Sequence, residues 1–88
     1  MPNTDAIADE ILRQTAARGA DKSICPSEVA RALAPDDDAW RRLMGAVRAT
    51  AIRLAREGQV EVLRKGKPVD PAAEIRGVIR LRIVASES

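Results

Sequence analysis

The chain has 88 residues, 45% of them apolar, but sixteen of those apolar residues are alanines, which leaves bulk for one thin core and no deep ligand cavity. It contains no histidine, tyrosine or phenylalanine, one tryptophan and one cysteine, which excludes imidazole acid–base chemistry, His-ligated metal, an internal disulfide and a stacking platform for single-stranded bases. The net charge of +2 is the remainder of −4 over residues 1–40 (four basic, eight acidic) and +6 over residues 41–88 (eleven basic, five acidic), an asymmetry that suits an anionic partner.

The N-terminus carries acid where a secretory leader carries base, and no apolar run is long enough to span a membrane. A cytoplasmic protein of one domain over residues 1–88, ordered from about 4 to 84, is expected. In chain order, Thr4 and Asp5 read as the cap and first acid of a helix whose apolar stripe is Ile7, Ala8, Ile11, Leu12 and Thr15. Arg18 and Gly19 close it. Ser23-Ile24 can add one strand pairing. Pro26 then opens a short helix with Val29, Ala30 and Leu33 inward, and Ala34-Pro35 breaks it.

Asp36-Asp37-Asp38 reads as the cap and start of a third helix that runs to about Glu57 and stops at Gly58. Two alternating segments follow, 59–64 and 78–84, joined by Lys65-Gly66-Lys67-Pro68-Val69-Asp70-Pro71 and a short polar stretch. This order predicts an α+β winged helix-turn-helix: three helices, the third longest, and a two- or three-stranded antiparallel wing.

At 100° per residue, the third helix gathers Leu43, Val47, Trp40, Ala51, Met44 and Leu54 on one arc, which predicts that Trp40 and Met44 are core. Arg41, Arg42, Arg48, Arg53 and Arg56 occupy the opposite arc, with Gly45, Ala46 and Ala49 in or beside it and Ile52 as an apolar residue among them. GC-rich codon usage accounts for the amount of arginine, twelve against three lysines, but not for its placement. No acid lies between Ala39 and Arg56, so the usual i, i+4 neutralisation of a solvated face is missing. Arg64, Lys65 and Lys67 add a second basic cluster at the expected hairpin tip. Arg80 and Arg82 face away from the core, and Glu61 is placed to pair across to one of them.

These residues point first to sequence-tolerant double-stranded DNA binding through Arg41, Arg42, Arg48, Arg53, Arg56, Arg64, Lys65 and Lys67. A protein–protein module for an acidic partner, with Ile52 as anchor, is the alternative; an internally neutralised face is the bland one. No enzyme activity, cofactor, metal or small-molecule substrate is expected. Cys25 lacks a resolving cysteine or a base and reads as a small helix cap rather than a redox thiol.

Ile24-Cys25-Pro26-Ser27-Glu28-Val29-Ala30, Trp40-Arg41-Arg42-Leu43-Met44 with Val47-Arg48, Arg64-Lys65-Gly66 with Val69-Asp70-Pro71, and Gly77 with Arg80-Leu81-Arg82 together resemble a family of short bacterial proteins of unknown function. The resemblance spans roughly residues 5–84 and implies a winged-helix-like fold. It brings no activity, substrate or cofactor. Asp70 among the basic blocks also suggests an ion pair that ties the wing to Arg48 or Arg64.

Overall fold

The computed structural model describes residues 3–35 and 38–84. Its elements are α1 (Thr4–Arg18), α2 (Pro26–Leu33), α3 (Ala39–Arg56), β1 (Val60–Arg64), β2 (Lys67–Pro68) and β3 (Arg80–Ile83). Three helices and a three-stranded antiparallel sheet, ordered β2-β1-β3, give the α+β class. No described helix is long and apolar enough to cross a membrane.

Local chemistry sets the helix ends. Asn3, not Thr4, caps α1: its Oδ1 accepts the Ala6 N–H at 2.8 Å, and Thr4 is the first helical residue. The carboxamide oxygen one position earlier takes the capping role expected of the threonine hydroxyl. Pro26 sits where a missing N–H costs nothing, and Glu28 folds back so that its Oε2 accepts the Cys25 N–H at 2.7 Å. Glu28 also receives Arg18 at 3.1 Å, and its main-chain oxygen receives Gln14 Nε2 at 3.2 Å, so one residue fastens α2 to α1.

Asp38 stands at the N-cap of α3 without a side-chain capping bond and instead pairs with Arg41 Nε at 3.2 Å. Asp36 and Asp37, expected to share that capping, lie outside the described residues. The far end of α3 closes in a Schellman arrangement. Gly58, at φ 80, donates to Ala55 O at 3.0 Å, and Gln59 donates to Leu54 O at 3.0 Å.

The wing holds a strand that the sequence pattern did not suggest. Lys65 and Gly66 both take positive φ (54° and 82°), as the two-residue turn of a right-twisted hairpin requires, and they return the chain into β2. Pro68 is tolerated there because β2 is an edge strand. On the other side β1 pairs with β3 in the register Val60↔Ile83 to Leu63↔Arg80. The Glu61↔Arg82 pair carries the expected cross-strand ion pair, 2.7 Å between Oε1 and Nη2. Ile24 extends the sheet by one bridge to Leu81, closed by two hydrogen bonds of 2.8 Å.

The core forms where α1, α2, α3 and the sheet meet, around Ile7, Ile11, Ile24, Val29, Leu43, Val47, Val62 and Leu81, each under 2% exposed. Thr15 is equally buried and satisfies its hydroxyl on Ile11 O at 2.7 Å. Trp40 and Met44 are half-buried at the margin of this core rather than inside it. Trp40 lies in the first turn of α3, where the stripe runs to the edge of the fold, and the guanidinium carbons of Arg31 and Arg41 lie 4.4 and 4.9 Å from its ring centroid.

Candidate functional site

The exposed arc of α3 carries Arg41, Arg42, Gly45, Ala46, Ala49, Arg53 and Arg56, and the structure sorts the five expected arginines by their neighbours. Arg48 is half-buried: Nη1 donates to Gly77 O at 2.7 Å and Nη2 to Ile75 O at 2.6 Å. Arg56 donates Nε to Pro71 O at 3.1 Å. These two side chains hold the segment between β2 and β3 against α3, with Val69 and Ile75 packed on the core below. Ile52, read from the sequence as an apolar residue on the basic face, is half-buried and packed on that core as well.

Arg41 is shared between Asp38 and the Trp40 ring. Arg42 and Arg53 differ from all three. Both are exposed, and neither makes a hydrogen bond or ion pair among the described residues. They are eleven positions apart, about 16 Å along the helix axis. Between them the exposed surface is Gly45, Ala46 and Ala49, which lets another molecule come close to the helix backbone.

The second basic cluster is the β1–β2 turn. Lys65 and Lys67 are exposed there, while Arg64 is half-buried with its guanidinium laid over the Cα of Gly77. A side chain at Gly77 would collide with that guanidinium, and its φ of 82° also favours glycine. Asp70 makes no ion pair with Arg48 or Arg64. Its Oδ1 accepts the Ala72 N–H at 2.9 Å within its own loop, and main-chain carbonyls take the role expected of it at Arg48.

The sequence reading did not single out Arg31, which the Trp40 ring brings beside Arg41, nor the bond of Arg80 Nε to Ser23 Oγ at 2.7 Å. In both cases the partner belongs to another segment of the chain, so nothing local in the sequence announces the contact. Cys25 is half-exposed, with the Ser27 hydroxyl 3.1 Å from its sulfur. Among the described residues no three His, Cys, Asp or Glu side chains gather as metal ligands do. Elsewhere, a hydrogen bond from Arg13 holds the Glu10 carboxyl below the usual range; partial burial opposes this, and Gln14 adds to it.

Residues 4–84 match the model of a family described as a protein of unknown function (DUF3253). The chain belongs to that family. No curated protein matches it. The match covers every element of the fold and both basic clusters, so α3 and the wing are parts of the family's shared domain rather than appendages to it.

Proposed function

We propose that the protein is a binding module for double-stranded DNA with little sequence preference, rather than an enzyme. On this reading α3 meets the major groove, and the β1–β2 turn meets the neighbouring phosphate backbone. The observation that carries it is the pair Arg42 and Arg53, two guanidiniums unneutralised among the described residues at either end of a smooth strip of Gly45, Ala46 and Ala49.

The major groove is about 12 Å wide. Two arginines about 16 Å apart on a helix can therefore engage phosphates on both of its walls. Glycine and alanine offer base edges no donor or acceptor, so the readout is electrostatic. Arg64, Lys65 and Lys67 add contacts from the wing. Arg41, Arg48 and Arg56 stand behind, engaged with Asp38, Trp40 and the loop carbonyls.

The test is titration of a labelled duplex at about 50 and 200 mM salt. Five phosphate contacts give a slope of log affinity against log salt of about −4.5. Arg42→Glu/Arg53→Glu removes about 2 from that slope and abolishes measurable binding at the higher salt. Binding that ignores the double charge reversal, or no binding at the lower salt, overturns the reading.

A further inference from the structure

A different surface lies on the other side of the wing segment. Val78 is 81% exposed, the most exposed large apolar side chain among the described residues. Two hollows meet at Gly77 and Val78. One, of about 420 Å³, has Met44, Val78 and Ile79 in its wall and Arg48 at its rim. The other, of about 500 Å³, is bounded by Leu63 and Val78 and rimmed by Arg64, Lys65 and Arg80. No carboxylate lines either hollow, and none of the four cations forms an ion pair among the described residues.

The backbone agrees with the side chains. The sheet register would continue past Leu63↔Arg80 toward Lys65 opposite Val78, but β1 has turned into the β2 hairpin by then. Val78 therefore makes no main-chain hydrogen bond among the described residues, so an extended backbone can pair with it.

We propose that the two hollows form one docking trough for an extended, acidic segment of a partner protein that places an apolar side chain against Val78. Charge complementarity selects the acid: Arg48 and Arg80 are tied to main-chain and Ser23 oxygens but carry no carboxylate, and the side chains of Arg64 and Lys65 at the rim have neither a hydrogen bond nor an ion pair among the described residues. The apolar walls select a peptide over a nucleic acid, since a duplex brings phosphates to a protein surface but no apolar side chain to cover Val78. The trough shares Arg64 and Lys65 with the DNA reading but not Arg42 and Arg53, so Val78→Ser and Arg42→Glu/Arg53→Glu tell the failure of one from the failure of the other.

The test uses a fluorescent peptide that alternates Leu with Asp and Glu, and a control with each Leu replaced by Ser, titrated against the full chain at about 50 mM salt. The leucine peptide binds, and the serine control binds about tenfold more weakly. Val78→Ser weakens the leucine peptide by about fivefold or more, and Arg64→Gln/Lys65→Gln weakens both peptides. The bound peptide slows maleimide modification of Cys25, which lines the first hollow. Because Val78 is so exposed, its substitution leaves the thermal melt unchanged. Equal binding of the two peptides, indifference to Val78→Ser, unchanged Cys25 modification or no binding each overturns the proposal. Loss of duplex affinity in Val78→Ser without peptide discrimination assigns the trough to nucleic acid instead.

Discussion

Arg48 and Arg53 lie five residues apart on one helix and belong to one arc of the helical wheel, yet their surroundings are opposite. Arg48 is half-buried with two N–H groups on the carbonyls of Ile75 and Gly77, while Arg53 is exposed beside Ala49 and Thr50. The difference comes from the segment that lies alongside, not from the helix. A run of cations without interleaved acid has two outlets: an external anion, or the partial negative charge of nearby main-chain oxygens. The loop between β2 and β3 takes the second outlet on one edge of α3 and leaves the other edge to solvent.

The most direct way to break this contrast is to truncate each side chain. Arg48→Ala strands two loop carbonyls and costs about 2–3 kcal/mol, since hydrogen bonds to charged groups carry about 1.5 kcal/mol or more each. Arg53→Ala stays within about 0.5 kcal/mol. Chemical denaturation checks both, and equal losses would erase the distinction.

Lys65 sharpens the contrast from the wing side. It is the one non-glycine residue with positive φ among the described residues, and its ammonium has no partner among them. Lys65→Asn suits the turn better and raises stability by about 0.5–1 kcal/mol. If the wing contacts DNA, the same substitution weakens duplex binding severalfold and reduces the salt slope by about 0.9. Lys65→Arg keeps both the charge and the turn cost, so it separates the two effects.

The smallest effect concerns a cation neutralised in the ordinary way. The Glu10 carboxyl, held low in the fold by Arg13, contributes stability that is present above its unfolded value and disappears as pH falls through the lower folded value. Glu10→Gln therefore flattens the acid limb of a stability profile below about pH 4.5 and leaves neutral-pH duplex binding unchanged. A steeper acid limb in the variant would contradict the direction of that shift.

What could be read from the sequence was local. The stripe of Ile7, Ile11 and Thr15, the stop at Gly58, and the alternation of β1 and β3 each depend on neighbours within one element. The Glu61–Arg82 pair followed from register. β2 was hidden because two residues carry no alternation, and only their partners Leu63 and Arg64 define them as a strand. The fate of Arg48 and Arg56 was hidden for a deeper reason: their acceptors are main-chain oxygens, which every residue possesses. Asp70 was the visible acceptor, but its carboxylate serves the turn at Ala72. Trp40 was placed in the core because a helical wheel has no axial coordinate and cannot show where a stripe meets the edge of the fold. The exposure of Val78, by contrast, follows from alternation, which sets it on the outward side with Arg80 and Arg82 just beyond the end of the ladder.

The bridge between Ile24 and Leu81 has a consequence for how the molecule is made. Its two hydrogen bonds, and the adjoining bonds of Arg80 to Ser23, join positions 57 residues apart. The helices can condense on the ribosome as they emerge, but this seam cannot close until nearly the last described residue has left the exit tunnel. Capture of an early segment by a late strand is therefore a late step, alongside the β1–β3 pairing that the same strand completes, and a premature stop before residue 80 would leave Ile24 without its partner.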